Sequence, residues 1–283
     1  MQLNCPICNQ IQFKKCGSFF RKNDSRVVQR YQCKNCNKYF SNATFSDCYK
    51  QKKRRVNDLI FKLFSSAASM RRIAFIANVD RKTVARKLIF LGLRCKRKNL
   101  IFLENCLQVK HLQFDDLITK EHTKLKPLTI TVAVDADRRT ILGAKVSQIP
   151  AFGHLASLAR KKYGSRVSHH RKGVEHLFNE IQPYILNKAL IRSDLHKLYP
   201  ELVRKFFPQS YHERFKGDKA AIVGQGELKR KKNDPLFSIN HTLAMLRDNI
   251  RRLVRRSWCL SKCSQMLQHH LEIYINFHNR YLV

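Results

Sequence analysis

Acidic residues are scarce in this sequence, which has 20 Asp and Glu against 56 Lys and Arg in 283 residues. The resulting net charge of +36 is far larger than solubility requires, and a field of this sign attracts polyanions. Ribosomal proteins share such a charge but are usually shorter, and membrane-surface proteins need an anchor or an amphipathic arm. We therefore expect nucleic acid as the partner.

Long apolar runs are also missing. No stretch approaches the roughly 18 apolar residues of a transmembrane helix, and the first residues, MQLNCPICNQ, contain no apolar signal-peptide core. We expect a cytoplasmic, nucleoid-associated protein with no membrane partner. In that compartment the ten cysteines indicate metal sites or reduced thiols rather than disulfides.

Two C-x-x-C motifs, CPIC at 5–8 and CKNC at 33–36, stand near the start of the chain. Each can form a tight turn that directs two thiolates to one ion, and two such turns supply the four sulfurs of a tetrahedral zinc site. We predict a structural Zn²⁺ in a zinc ribbon over residues 1–50, because a core this small needs metal to fold. The alternatives are a redox pair, unrelated thiols, or Cys16 as a substitute ligand. The predicted ligands are Cys5, Cys8, Cys33 and Cys36.

Residues 51–98 predict a helix-turn-helix DNA-binding domain. Apolar residues at helical spacing indicate helices at about 56–66, 70–77 and 81–91, with Ser69 and Asp80 as the N-caps of the second and third. KRK at 96–98 is expected to begin a linker. The alternative is a three-helix bundle with a solvated charged face. On the outer face of the third helix, where a major groove would be contacted, we expect Arg81, Lys82, Thr83, Arg86 and Lys87.

The pattern changes to strands at about residue 108. Segments 109–119, 128–136 and 140–149 are predicted as three sequential antiparallel strands. A helical stretch (153–188), a short strand ending at Asp194, a helix and a strand at 209–215 follow. Two helices, about 239–256 and 260–281, finish the chain. This order predicts an α/β sheet domain over residues 108–283.

Several acids stand at or near the ends of these strands. Carboxylates are the protein ligands that Mg²⁺ prefers, and bound divalent ions can support phosphoryl transfer. For most of these acids a turn or capping role is the simpler interpretation, and Asp137, beside two arginines, is expected to lie in a turn. Asp194 follows an apolar strand, where sites usually form. The candidates are Asp115, Asp116, Asp135, Asp137 and Asp194.

The succession CPIC, RYQCKNCNKYFS, a helix-turn-helix, FDDL, VAVDADRRTIL, IRSD and RRLVRRSWCLSK resembles the small bacterial insertion-sequence transposases of the insertion-sequence-one group. The resemblance runs in order along almost the whole chain. It implies a multidomain protein with an N-terminal zinc ribbon, an all-α helix-turn-helix and an α/β RNase H-like catalytic domain with C-terminal helices. Such a DDE enzyme uses Mg²⁺ or Mn²⁺ to cleave and join double-stranded DNA, at its element ends and target, as a homo-oligomer on the DNA.

The resemblance also assigns residues. It implies Asp115 and Asp194 as catalytic metal ligands and leaves Asp135 as a non-catalytic acid. The third acid, a Glu in the family, matches Asn240, which is a departure. Asn240 could supply a neutral oxygen, or His241 a nitrogen, to the metal or the attacking water.

Other interpretations of this position stay open. Ser238 or Asn240 could simply cap the helix, and Glu213 or Asp248 could be the third acid. The chain could also be a non-catalytic, sequence-specific DNA-binding protein that derives from a transposase and lost its chemistry with the Glu.

The helix after Asn240 carries a basic stripe of Arg247, Arg251 and Arg255, which is expected to contact the DNA backbone. Its apolar residues recur at helical spacing and are expected to be core. These are Leu243, Leu246, Ile250, Leu253, Val254 and Trp258.

Overall fold

The computed structural model describes residues 3–22, 25–106, 108–216, 234–254 and 258–283. By its internal contacts the chain divides into two compact units, Met1–Ile60 and Phe61–Val283. The helices of the described ranges include none that is long and apolar enough to cross a membrane.

The first unit contains a three-stranded antiparallel sheet in the order β1-β2-β3. Its strands are β1 (Phe13–Arg21), β2 (Arg26–Cys33) and β3 (Tyr39–Ser41). The ring of Phe13 packs edge-on against Tyr31 and Phe40, with centroid distances of 5.2 and 5.6 Å. These rings and the first and third predicted cysteine ligands form the small core of the unit.

Three helices follow, α1 (Asn57–Phe64), α2 (Met70–Ile76) and α3 (Arg81–Glu104). The Ser69 side chain accepts a hydrogen bond from the Arg72 backbone N–H, and Asp80 accepts one from Lys82 at 2.7 Å. Both predicted N-caps are therefore confirmed.

Helix α3 is longer than predicted, because residues 96–98 continue it instead of starting a linker. Its second half packs against the last helix, α8 (Ser264–Tyr281). A Cβ added to Gly92 would lie 2.5 Å from the Cβ of His269, so the two helices approach closely there. Asn99 donates a hydrogen bond to the Glu272 carbonyl oxygen at 3.1 Å. The predicted domain boundary at residue 98 therefore falls inside α3, in the half that packs against α8.

A five-stranded mixed sheet, ordered β6-β5-β4-β7-β8, forms the centre of the second unit. The first three strands are an antiparallel meander, and β7 and β8 run parallel to β4. The predicted meander and the strand that ends at Asp194 are confirmed. The bounds are β4 (Val109–Glu121), β5 (Thr123–Asp135), β6 (Ile141–Gln148), β7 (Ile185–Asp194) and β8 (Tyr211–Phe215).

Helices cover both faces of this sheet. Because side chains alternate along a strand, Phe114 of β4 joins a core with α5 and α6, while Leu117 joins a second core with α7 and α8. The described residues thus form a mixed α/β structure with eight helices. The remaining helices are α4 (Leu155–Tyr163), α5 (His170–Ile181), α6 (Tyr199–Phe206) and α7 (Phe237–Asn249).

Helix α7 is shorter than the predicted 239–256. It ends at Asn249, whose carbonyl accepts a hydrogen bond from the Ala67 N–H at 2.7 Å, and Ile250 is extended with φ −99° and ψ 102°. Arg247, Arg251 and Arg255 are spaced four residues apart and would repel one another in a longer helix. This repulsion disfavours continuation of α7 beyond Asn249. Trp258, predicted as core, is fully exposed. Leu243, Leu246, Ile250 and Leu253 are buried as predicted.

Candidate functional site

The four predicted zinc ligands are brought together. The Sγ atoms of Cys5, Cys8, Cys33 and Cys36 all lie within 4.8 Å of one another. The Cys5–Cys36 and Cys8–Cys33 sulfurs are 3.6 and 3.5 Å apart, close to the roughly 3.8 Å edge of a tetrahedron with Zn–S bonds of about 2.3 Å. The donor set therefore fits a metal ion such as zinc. Cys16, the alternative ligand, and Cys48 are half-buried and lie outside this group.

An asparagine follows each C-x-x-C motif and shapes its turn. Asn9 and Asn37 have φ of 57° and 55°, in the left-handed region that Asn tolerates better than most residues. The Asn9 N–H donates to the Cys5 carbonyl at 2.9 Å, and the Asn37 N–H donates to the Cys33 carbonyl at 3.1 Å. The repeated Cys-Asn pair is a sequence signal that the cysteine spacing alone does not include.

The thiols of the cluster differ in acidity. A hydrogen bond with the Gln10 backbone lowers the pKa of Cys8 to about 6. For Cys36, the Lys38 backbone lowers the pKa, but burial and the other three thiols outweigh it and raise the pKa to about 12. The cluster therefore favours a thiolate at Cys8, and thiolate is the form of cysteine that binds metal.

The N-terminal part of α3 presents cations to solvent. Arg81, Lys82 and Arg86 are exposed and Thr83 is half-buried. Lys87 corrects the prediction, because it is only 3% exposed and lies on the buried side of the helix. Its position follows from the helical period, since it is three residues beyond Val84 and four before Leu91, both of which are buried. The candidate DNA-contacting residues that remain on this helix are Arg81, Lys82, Thr83 and Arg86.

Asp115 and Asp194 lie on adjacent parallel strands. The pairing of β4 with β7 includes Gln113 opposite Arg192, and two further residues along each strand bring Asp115 level with Asp194. Partners in neighbouring strands project to the same face, so the two carboxylates are directed to the side of the sheet that α7 covers. The carboxylate of Asp194 also accepts a hydrogen bond from the His196 N–H at 2.9 Å.

The environment of Asp115 disfavours its charged form. Burial, followed by the charges of Asp194 and Asp116, raises the pKa of Asp115 to about 7, against a hydrogen bond from the Asp116 N–H and the positive charge of Arg247 on α7. The raised pKa of Asp115 shows that the positive charge around the pair does not compensate two ionised carboxylates at neutral pH.

Asp116 points to the opposite face and has a different environment. Its carboxylate contacts His170 on α5 at 2.6 Å, and it accepts hydrogen bonds from Tyr199 on α6 at 2.8 Å and from Thr131 on β5 at 2.5 Å. Burial alone would raise the pKa of Asp116, but these contacts outweigh burial and hold it below its ordinary value. Asp116 is thus a saturated structural anion rather than an available metal ligand.

Asn240 and His241 have other contacts in the structure. Asn240 is exposed, and its amide donates to the Asp234 carboxylate at 2.8 Å. His241 is half-buried and stacks on Phe237 with a centroid distance of 5.8 Å. The four cysteines form the one group of three or more His, Cys, Asp or Glu residues placed to hold a metal among the described residues. A third ligand at Asn240 or His241 therefore stays a prediction.

The Ser238 side chain does not cap α7. Its hydroxyl donates to the carbonyl oxygen of Ala136 at 2.9 Å, at the end of β5, and the first turn of α7 has no side-chain cap. The Asp234 carboxylate, which holds Asn240, also accepts a hydrogen bond from the Leu236 N–H at 2.9 Å. Asp234 therefore organises the approach to this helix.

The other candidate acids are engaged in turns and surface pairs. The Asp135 carboxylate accepts a hydrogen bond from the Asp137 N–H at 3.0 Å, and Asp137 contacts His111 at 2.7 Å, so both organise the β5–β6 turn. Glu213 pairs with Arg192 across β7 and β8 at 2.8 Å, and Asp248 is exposed. The expectation that Asp137 lies in a turn is confirmed.

The arginine stripe is divided. Arg247 is half-buried on α7 and acts on Asp115, whereas Arg251 is exposed in the turn beyond the helix. Arg255 lies outside the described residues. Of the two described arginines of the stripe, Arg247 is therefore the one whose charge acts on the acid pair.

A scan against protein-family models finds no match, and a search of curated proteins finds none either.

Proposed function

We propose that the chain is a DNA-binding phosphoryl-transfer enzyme of the transposase type, which binds the ends of a mobile element and cleaves and joins DNA strands. The observation that carries the proposal is the Asp115–Asp194 pair on neighbouring parallel strands, with the pKa of Asp115 raised to about 7. The net charge of +36 supports a polyanionic substrate.

The sheet supports an RNase H-like identity for the second unit. Three antiparallel strands followed by two parallel ones place the first acid on the central strand and the second at the end of its neighbour. Asp115 and Asp194 would hold Mg²⁺ or Mn²⁺, which stabilises charge on the attacking and leaving oxygens of a phosphodiester. The positive charge of Arg247 beside Asp115 would hold a DNA phosphate close to this pair.

Strand cleavage by the full chain tests the proposal. The substrate is duplex DNA that flanks its own gene, and the readout is Mn²⁺- or Mg²⁺-dependent nicking and strand transfer. We expect Asp115→Asn and Asp194→Asn to lower the rate about 10³-fold or more, since each removes a charged metal ligand. Asp137→Asn, an exposed acid of the β5–β6 turn, is the matched control and should retain activity. Equal rates for all four proteins would refute the assignment.

A second function, sequence-specific DNA binding without chemistry, is favoured by one observation. Asn240, at the position of the family Glu, is bound to Asp234 and is exposed. If the natural chain bound its flanking DNA but never cleaved it, the binding function would stand alone. The variant Asn240→Glu, compared with the natural chain in the same assay, helps to distinguish the enzyme from the binding protein without chemistry. Its new carboxylate would repel Asp234 unless a cation lay between them.

DNA recognition is proposed for the exposed start of α3. Arg81→Ala and Arg86→Ala should each lower the affinity for DNA. Each should also reduce the slope of log affinity against log salt concentration by about one released ion. Lys188→Ala, an exposed cation on β7, is the control and should change neither quantity. Paired-end joining further requires at least two copies of the chain on the DNA, which mass photometry of the complex would detect.

For the cysteine cluster we propose one structural Zn²⁺. Cys33 is fully buried within the aromatic core of the first unit, so loss of the ion should unfold that unit. Metal analysis should find one zinc per natural chain and none bound tightly in Cys33→Ser. A Cys16→Ser control should keep its zinc.

A further inference from the structure

A cleft with cationic and apolar walls lies beyond the acid pair on the second unit. It has a volume of about 300 Å³ and is lined by the end of β4, the loop before α4 and the segment after α7. Its lining includes Lys120, Lys124, Arg247 and Arg252, and none of its lining residues is acidic. We call it the Phe152 pocket, after the aromatic residue in its wall.

Arg252 is a half-buried cation of this pocket. One guanidinium nitrogen contacts the Ser261 hydroxyl at 3.4 Å, and another contacts the Met70 sulfur at 3.2 Å. These are neutral and weak partners for a group with five N–H donors, and no carboxylate of the described residues is paired with it. Burial lowers the pKa of Arg252 below its ordinary value. A half-buried cation whose contacts are with neutral groups can still bind an anion.

Phe152 gives the pocket a flat apolar surface. Its side chain is 61% exposed, although a large aromatic residue gains free energy by burial. The next residue, Gly153, has φ +61° with open space around it, so the loop turns there by a conformation that favours glycine. An exposed ring beside several cations is the combination that binds single-stranded nucleic acid, since bases stack on the ring and phosphates meet the cations.

The pocket is connected to the acid pair in two ways. Arg247 lines it and also lowers the pKa of Asp115. Thr119 lines it from the same face of β4 as Asp115, about 13 Å along the strand at about 3.3 Å per residue. A DNA strand whose phosphate lies at Asp115 can therefore reach the pocket within a few nucleotides.

We propose that the Phe152 pocket binds one unpaired nucleotide of a DNA strand, with its base on Phe152 and its phosphate against Arg252 and Arg247. Its volume is at the small end of the roughly 300–1,000 Å³ range of small-molecule sites, which suits one nucleotide. The inference rests on the proposed function for its substrate class, and it adds that the enzyme holds its DNA locally unpaired beside the reacting phosphate.

The test compares the binding of a labelled single strand with that of a duplex of equal length, by fluorescence anisotropy of the full chain without added divalent metal. Phe152→Ala should weaken single-strand binding about ten-fold, which is within the range for loss of one stacked base, and leave duplex binding unchanged. Tyr211→Ala is the control, since Tyr211 is similarly exposed, at 68%, on β8. It should change neither affinity. Unchanged single-strand binding by Phe152→Ala, or an equal loss for both DNAs, would overturn the proposal.

Photocrosslinking locates the nucleotide independently. A single strand containing 5-iodouracil should crosslink to Phe152, and mass spectrometry should identify the modified residue. Crosslinks confined to α3 or to the first unit would overturn the proposal.

Failure of the pocket and failure of the proposed function are separable. If Phe152→Ala loses single-strand binding while the natural chain never cleaves DNA, the nucleotide-binding proposal is supported and the enzyme assignment is wrong. If the natural chain cleaves DNA, and Phe152→Ala binds and cleaves DNA equally well, the nucleotide-binding proposal is wrong and the enzyme assignment is supported.

Discussion

Asp115 and Asp116 are neighbours in the chain, yet the two faces of β4 give them opposite chemistry. Asp115 faces a second acid, and its pKa rises to about 7, whereas Asp116 faces a histidine, a tyrosine and a threonine, and its pKa falls. Both are largely buried, so burial does not decide the difference. The partners decide it, and they leave one carboxylate available to a cation while the other is fully used by the protein.

Removing Asp116 should cause the largest loss of stability. Asp116→Ala leaves His170 and Tyr199 buried without their acceptor, and breaking a buried pair of this kind costs about 3–5 kcal/mol. Urea unfolding measures the loss. Asp137→Ala is the matched control, because it breaks an Asp–His contact at 2.7 Å whose side chains are about half exposed. Equal stability losses for the two variants would remove the contrast between the faces.

Tyr199→Phe tests one contact of Asp116. The phenol donates to the carboxylate at 2.8 Å, and a hydrogen bond to a charged group contributes about 1.5–3 kcal/mol. We expect a loss in that range by urea unfolding, with Tyr211→Phe unchanged because Tyr211 is exposed. A Tyr199→Phe variant as stable as the natural chain would show that Asp116 does not depend on this donor.

The pH dependence of metal affinity tests the other face. Because the pKa of Asp115 is about 7, a divalent ion must displace a proton below that pH. Mn²⁺ affinity should rise about ten-fold per pH unit up to about pH 7 and then level off. Calorimetric titration between pH 5.5 and 8.5 would measure it. A flat affinity over this range would mean that Asp115 carries no proton there.

The stability of Asp115→Asn should change with a sign opposite to that of Asp116→Ala. A folded-state pKa raised above 3.8 means that the folded chain holds an extra proton between about pH 4 and 7, so stability falls as the pH rises through that window. The amide does not titrate. Without metal, Asp115→Asn should therefore match the natural chain at pH 4 and exceed it by about 4 kcal/mol at pH 8, because a pKa raised by about three units contributes about 1.4 kcal/mol per unit. Lower stability at pH 8 would contradict the raised pKa.

Local signals in the sequence predicted much of this fold. Ser69 and Asp80 are N-caps because their side chains reach backbone N–H groups two or three residues away, which is a property of the local sequence. The meander of β4, β5 and β6 follows from β-branched runs separated by a polar turn. The spacing of the cysteines likewise predicted a cluster that the structure brings together.

Long-range contacts explain what the sequence missed. Tyr199 reaches Asp116 from 83 residues away, and nothing near either residue indicates the pairing. The helical period does not show where α7 stops, because the Ala67 N–H that bonds its last carbonyl comes from a distant segment. Lys87 is an exception, because the local helical period between Val84 and Leu91 already places it on the buried side, while its charge suggested an outer face.

The most direct test of the account is Mn²⁺ binding to the full chain, followed by electron paramagnetic resonance of the free ion at pH 8. We predict a site that is lost in both Asp115→Asn and Asp194→Asn and retained in Asp137→Asn and Asp116→Asn. The same Mn²⁺ binding in Asp115→Asn and Asp194→Asn as in the natural chain would contradict the assignment of these two acids as the metal site.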